Sequence, residues 1–424
     1  MTTHLFTKIN SCLHAGVVIC SCALITACTP TYSRDDLAET VVREINEDWG
    51  IEVRAVRERD GAFGVFYIED SLWDEDGRLQ TQADGHIAGL LRTMERVIIS
   101  SDAEIDTISV TVAGDDSVKN LQFERPFREI RQKRAGAIAW QNVFDAEEAE
   151  TIPCWRWELF DENIYIHAGL DEEQLSTQVR ELIAEKTGLK AQVALVNGTL
   201  GIAFREAKMW EEQELAEKTD LLLDQFLLYA ANSALKSDLD IKRLSVTVNG
   251  NDSEVNLTRA VAMEDIRAWV TDAIDRDTLL AGAVQTRSRY WEWDVFGRLP
   301  WYTDEEVRTA LQQEIRLRAG MQADVRINAD IVAITIRTAQ PDAIHTGSSL
   351  TETFSAALRA GVRYLLLAQT DFKELVLRAE GTAGSQLCFT AELPELVDRL
   401  SSEDPDTSLV NYFNAEVQHA CTEL

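Results

Sequence analysis

The stretch Ile108-Ser-Val-Thr-Val-Ala-Gly-Asp-Asp116 reveals a repeat in the chain, because it reappears as Leu244-Ser-Val-Thr-Val-Asn-Gly-Asn-Asp252. In both copies an apolar residue alternates with a hydroxyl residue and a glycine turn follows, which is the pattern of a strand entering a hairpin. A third and more divergent copy reads Leu375-Val-Leu-Arg-Ala-Glu-Gly381. The chain therefore uses one supersecondary unit three times.

The first two copies keep one register over a long distance. Trp155-Arg-Trp157-Glu-Leu-Phe160 matches Trp291-Glu-Trp293-Asp-Val-Phe296, 136 residues later, which is also the spacing from Gly114 to Gly250. Solenoid repeats are roughly 20–50 residues long, whereas a copy of this length can bury a core of its own. We therefore predict three tandem repeat domains, at residues 35–154, 155–290 and 291–424.

Hydrophobic periodicity predicts the same elements in each copy. A helix at the start, as at 35–49 and 171–187, is followed by a hairpin, and then a second helix and a second hairpin follow. Asp60-Gly61 marks one hairpin turn, and Asn197-Gly198 is the strongest short turn signal in the chain. We predict an α+β fold of three tandem αββαββ repeats, each a mostly antiparallel four-stranded sheet with helices on one face.

Residues 1–27 have the pattern of an export signal. An apolar run from Ala15 to Ala27 follows Lys8, and its 13 residues are too few to cross a bilayer as a helix. The run ends in Leu24-Ile25-Thr26-Ala27-Cys28, which resembles the lipobox of bacterial lipoprotein precursors. That resemblance implies cleavage before Cys28 and lipid attachment to this cysteine, which several acyl chains would hold stably in a lipid bilayer.

The lipobox resemblance also implies a location. Residues 28–34 would form a short lipidated tether, so the first domain would lie close to the membrane surface. By analogy with sorting in Gram-negative bacteria, Thr29 after the cysteine favours the periplasmic face of the outer membrane. The alternative is an ordinary signal peptide in which Cys28 occurs by chance.

The charge of the chain is strongly acidic. The formal net charge at pH 7 is −31, and the leader carries Lys8 as its single charged side chain, so the processed chain is slightly more acidic. An acidic chain repels phosphate backbones, which excludes nucleic acid as a partner. The acidic residues indicate either a solvated surface or a surface for a basic partner or divalent cations.

Cysteine positions leave one disulfide open to prediction. Three of the seven cysteines leave with the leader, and Cys28 is the predicted lipid site. Cys154, Cys388 and Cys421 remain, and an oxidising compartment permits a disulfide. We predict the pair Cys388–Cys421, because both residues lie in the last domain; Cys154–Cys421 is the alternative, and either pair leaves one thiol free.

No constellation commits the chain to a reaction, a metal or a cofactor. The sequence has no phosphate-binding loop, no dinucleotide fingerprint and no nucleophile elbow. The turns at Gly114 and Gly250 could give calcium two or three oxygens each, fewer than the six to eight that it prefers, and hairpin chemistry explains the same residues. Four histidines follow the leader and are scattered: His86, His167, His345 and His419.

The tryptophan motif is the most distinctive local signal. Trp155 and Trp157, and again Trp291 and Trp293, stand two residues apart. Alternate residues of a strand face the same side, so each pair could form a platform for the sugar rings of the cell wall. Because the motif falls at the predicted domain junctions, the favoured interpretation is that these rings hold one domain against the next.

Three functional hypotheses follow from these patterns. The first is a non-enzymatic envelope lipoprotein that acts in protein interaction or scaffolding, with an unknown envelope protein as its partner. The second is a module that binds cell-wall glycan or peptide through the junction tryptophans. The third, an enzyme, has the least support, although one repeat could have acquired a site that the others lack.

Overall fold

The structure, a computed structural model, describes residues 32–73, 78–114, 117–134, 150–251, 253–319, 322–338, 348–381, 386–402 and 404–416. The predicted lipobox with Cys28, and also Cys421, lie outside these ranges. Tyr32 is already attached to the folded chain, since its backbone amide donates to the carbonyl of Ser100 at 3.1 Å. Within the described ranges, no helix is both long and apolar enough to cross a membrane.

The first sheet has five strands. Its elements and those that follow it are α1 (Leu37–Trp49), β1 (Val53–Arg59), β2 (Ala62–Glu69), α2 (Thr81–Ile99), β3 (Thr107–Gly114), β4 (Lys119–Pro126), α3 (Phe127–Arg134), β5 (Glu150–Pro153), β6 (Arg156–Trp157), a 3₁₀ turn (Glu158–Phe160) and β7 (Glu162–Asn163). The strand order is β1-β2-β3-β4-β5. Neighbours are antiparallel except β2 and β3, which are parallel because α2 returns the chain to the same end of the sheet.

The second sheet also has five strands. Its elements are α4 (Glu172–Thr187), β8 (Ala191–Val196), β9 (Thr199–Glu206), β10 (Trp210–Glu211), β11 (Glu214–Leu215), α5 (Glu217–Leu235), β12 (Arg243–Gly250), β13 (Val255–Ala262), α6 (Met263–Val270), α7 (Arg276–Ala281) and β14 (Val284–Arg289). The order is β14-β13-β12-β9-β8, with β9 and β12 parallel. β10 and β11 form a separate small hairpin.

The third sheet has four strands. Its elements are α8 (Asp304–Ala319), β15 (Ala323–Asn328), β16 (Ile331–Thr338), α9 (Ser348–Leu366), β17 (Glu374–Gly381), β18 (Gln386–Glu392), α10 (Leu393–Leu400) and α11 (Pro405–Glu416). The order is β15-β16-β17-β18, and again the two inner strands are parallel while the outer pairs are antiparallel.

The α+β class and the mostly antiparallel sheets agree with the prediction. The prediction of four strands in every sheet is wrong for the first two sheets, since β5 and β14 add a fifth strand to each. β14 was not predicted because it is mostly polar and almost wholly exposed. It therefore lacks the alternation of apolar and polar residues that marks a half-buried strand.

The chain forms two compact units. The first holds the described residues up to Val179 together with Leu228–Lys242 and Val261–Gly282, and the second holds Arg180–Leu227, Arg243–Ala260 and the residues from Ala283 onward. The boundaries of the three repeat domains stay a prediction.

In the first unit, helices cover one face of the first sheet. Alternate residues of β2, such as Phe63, Val65 and Tyr67, share a buried apolar cluster with the stripes of α1 and α2. Phe66 points to the opposite face and belongs to a second, smaller cluster. In the second unit, the described residues of the third sheet share a large buried cluster with the apolar faces of α8–α11. One face of the first sheet is therefore left for other chain segments to cover.

Candidate functional site

Trp157 covers the outer face of the first sheet. Its side chain is fully buried, and its ring packs edge to face on Phe160 with a centroid distance of 4.7 Å and lies 6.0 Å from Phe66. Gly64 of β2 makes room for this cover, because a Cβ there would lie 2.7 Å from a ring carbon of Phe160. The motif is thus packed on a sheet rather than displayed to solvent.

Trp293 is placed in the same way on the second sheet. It is buried with Ala203 of β9 and Leu367, and its ring lies 5.3 Å from that of Trp301. Gly201 of β9 again provides space, since a Cβ there would lie 2.1 Å from a methyl carbon of Val295.

These placements correct the platform interpretation for two of the four rings. Trp157 and Trp293 are enclosed, so their faces are not accessible to a sugar. Trp155 and Trp291 are half-buried; Trp291 stacks edge to face on Tyr290 at 4.6 Å, with the guanidinium of Arg289 over its ring. The two members of each pair therefore do not form one continuous aromatic surface.

The hairpin glycines accept hydrogen bonds from buried cations. The fully buried Lys236 donates from Nζ to the carbonyl of Gly114 at 2.8 Å. Arg363 is also buried and donates to the carbonyl of Gly250 at 2.6 Å and to Asn249 Oδ1 at 3.2 Å. A buried charge must be hydrogen-bonded to be tolerated, and these cations now engage carbonyls at the turns that were considered for calcium.

The cysteines separate into one bonded and one free residue. Cys388 is disulfide-bonded, and its predicted partner Cys421 lies outside the described ranges. Cys154 is free and buried, which excludes the alternative pair Cys154–Cys421. Burial raises the pKa of the Cys154 thiol to about 12, and the nearby Lys236 ammonium opposes this shift without reversing it. Cys154 is therefore a protonated, inert thiol at neutral pH.

A polar cleft of about 770 Å³ opens beside β1 and β2 in the first unit. Two of the scattered histidines, His86 and His167, lie in its wall. His86 on α2 pairs through Nδ1 with Glu69 Oε1 at 2.5 Å. Burial raises the pKa of the neighbouring Tyr67 hydroxyl, and the Glu69 carboxylate raises it further. The cleft volume falls within the range of small-molecule sites, roughly 300–1,000 Å³.

This cluster could not be predicted from a local pattern in the sequence, because its members are far apart in the chain. Glu69 ends a strand and His86 stands in the first turns of the next helix. Comparison of the copies could have drawn attention to this place. Both strands end in glutamate, but β2 has the polar Tyr67 where β9 has Phe204. His345 and His419 lie outside the described ranges.

An apolar groove of about 740 Å³ lies at one end of the third sheet. Ile331, Leu366, Phe372 and Val397 contribute its apolar surface. Five acidic residues and two basic residues stand around it: Asp330, Asp371, Glu374, Glu392, Asp398, Arg298 and Lys373. Lys373 is paired with Asp330 at 2.9 Å and Arg298 with Asp371 at 2.5 Å, so the charge left over is negative.

Within the described residues, no group of three or more histidine, cysteine, aspartate or glutamate side chains is placed to hold a metal ion. No family model matches the chain, and no curated protein matches it. Among solved structures, the chain is similar to the sex pheromone staph-cAM373 precursor, with a TM-score of 0.19 and 11% identity over 50% of this chain and 81% of that one. A TM-score this low carries no argument about function.

Proposed function

We propose that the chain is a non-enzymatic envelope lipoprotein, anchored through acylated Cys28 at the periplasmic face of the outer membrane, that binds another envelope protein. The lipobox resemblance at residues 24–28 supports the anchor. The net charge of −31 supports a protein partner with a basic surface and disfavours nucleic acid.

The proposal includes a triplicated architecture. In each sheet the strand before the middle helix pairs in parallel with the strand after it, and Gly64 and Gly201 each lie under the segment that carries a buried tryptophan. Lys236 and Arg363 each follow a predicted boundary and donate to a glycine carbonyl ahead of it. These recurrences support three tandem αββαββ repeats, of which the second and the third are each fixed to the one before by a buried cation.

The groove on the third sheet is the main support for a role in protein binding. Its floor is apolar and open to solvent, and its surplus of acidic side chains complements lysine and arginine. Such a surface fits a partner segment that places aliphatic side chains between basic residues, because apolar burial gives affinity while charge complementarity gives specificity.

The test is cross-linking and co-purification of the tagged full-length lipoprotein from cell envelopes. Val397→Lys places a cation in the groove, and Val284→Lys adds the same charge on β14 at a side chain that is 62% exposed. We expect a reproducible partner that is retained by Val284→Lys, lost by Val397→Lys, and reduced when Cys28→Ala removes the anchor.

Two results would contradict the proposal. Recovery with cell-wall fragments and no protein would favour the glycan interpretation, with the half-buried Trp155 and Trp291 as the residues to test. Equal recovery of the partner with Val397→Lys and Val284→Lys would show that the groove is not the binding surface.

A further inference from the structure

The first and second sheets differ at the end of one matched strand. Glu69 ends β2 and Glu206 ends β9, and both side chains are largely buried. Glu206 is neutralised by the ammonium of Lys218, whose Nζ lies 3.2 Å and 3.3 Å from its two carboxylate oxygens. At Glu69 there is no such lysine in the matching place, and the contact is the imidazole of His86, whose Nδ1 lies 2.5 Å from Oε1.

The strand that flanks this glutamate is also altered. β1 carries one extra residue, Arg54, because the register slips between Val53 and Ala55 where they pair with β2. β8 pairs with β9 without such a bulge. A β-bulge re-aims a side chain and is common beside functional sites, and Arg54 lines the cleft. Arg57, opposite Gly64, is matched in β8 by Ala194, opposite Gly201.

On the second sheet an aromatic side chain stands at the matching position. Tyr302 packs in the cluster that contains Trp293, and the guanidinium of Arg205 lies over its ring at 4.8 Å. By the 136-residue offset, Tyr302 corresponds to Ile166, which lines the open cleft of the first unit. The first sheet thus has a cleft with its own charged groups where the second sheet has packed aromatic side chains.

We propose that this cleft binds a small zwitterion, an amino acid or dipeptide, with its ammonium at Glu69 and its carboxylate at Arg54. The ligand ammonium would take the role that Lys218 has at Glu206. Arg54 is free to exchange partners, because its ion pair with Glu52 is exposed and such surface pairs are weak. Ile68 and Ile164 in the same wall offer apolar surface to an aliphatic side chain.

Each charge has a separate consequence that calorimetry can measure. The titration uses the detergent-solubilised full-length lipoprotein with alanyl-leucine as the probe. N-acetyl-alanyl-leucine lacks the ammonium, alanyl-leucinamide lacks the carboxylate, and free leucine distinguishes an amino acid site from a dipeptide site. We expect saturable binding of alanyl-leucine or leucine, weakened about tenfold or more by blocking either end.

Matched variants place the site. Glu69→Gln and Arg54→Ala should each weaken binding about tenfold or more, and Arg54→Ala should abolish the preference for a free carboxylate. Glu206→Gln, the same change on the second sheet, should leave affinity unchanged. Circular dichroism of each variant checks that it is folded.

The proposal is overturned if neither probe binds, if the blocked dipeptides bind as well as the free one, or if Glu206→Gln weakens binding as much as Glu69→Gln. None of these results bears on the protein partner, since the groove on the third sheet is tested by other variants.

Discussion

Replacing Gly64 with alanine tests whether the tryptophan motif is clamped to the outer face of the first sheet. The new Cβ would lie 2.7 Å from Phe160 Cε2 and 3.0 Å from Trp157 Cζ2. Both rings are fully buried and pack on each other, so neither can turn aside without losing contacts. The segment 155–166 must therefore lift, or β2 must shift.

The size of the effect follows from two opposing contributions. Overpacking a close-packed site costs about 1–3 kcal/mol, while alanine in place of glycine recovers about 0.5–1 kcal/mol of backbone entropy. We expect Gly64→Ala to lower the free energy of unfolding by about 1–2 kcal/mol. Gly85→Ala in α2 is the control, because a Cβ at that position would meet no atom within 4 Å and only the entropic gain applies.

Two measurements read the result. Urea unfolding followed by circular dichroism gives the change in stability, and hydrogen–deuterium exchange reports on the segment 155–166 directly. Faster exchange of this segment in Gly64→Ala, with none in Gly85→Ala, agrees with the packing described. Stability equal to that of the native protein, with unchanged exchange at 155–166, would contradict this packing of Trp157 and Phe160 on Gly64.

Three further predictions rest on single contacts. Trp157→Ala should cost about 3–5 kcal/mol in thermal or urea unfolding, because it empties a closed aromatic cluster, whereas Trp155→Ala at a half-buried site should cost clearly less. Cys154 should resist iodoacetamide at pH 8 until the protein is unfolded, because its thiol is buried. Its pKa is raised from 9.0 to about 12, so its contribution to stability is complete below pH 9 and is lost as the pH rises towards 12. Thr303→Ala should cost about 1 kcal/mol in urea unfolding, because the side chains of Thr303 and Glu306 each accept a hydrogen bond from the other's backbone amide at the start of α8. The same contacts lower the pKa of Glu306, so this stabilisation should fade as the pH falls below 4.5.

Local patterns in the sequence predicted the hairpins well. Asn197 and Gly198 both have positive φ angles, as the Asn-Gly signal requires, and so do Asp60 and Gly61. Such turns are determined by the residues within them. The pairing of β2 with β3 depends instead on where α2 delivers the chain, which no local pattern records.

The candidate sites were harder to predict for the same reason. The spacing of Trp155 and Trp157 gave no sign of which ring would meet Gly64, since that contact joins segments about 90 residues apart in the sequence. The cleft depends on the bulge at Arg54 and on the approach of His86 to Glu69. These features become visible when the first sheet is compared with the second.

The bond from Tyr32 to Ser100 acquires a further meaning if Cys28 carries lipid as proposed. Tyr32 lies four positions after Cys28, a reach of at most about 14 Å. The helix α2 alone has 19 residues and is about 28 Å long. The first unit would then diffuse within the plane of the bilayer, held by a tether that is shorter than α2. A partner held in the same membrane would then be met by a two-dimensional search at high effective concentration, so that even a weak groove could keep it bound.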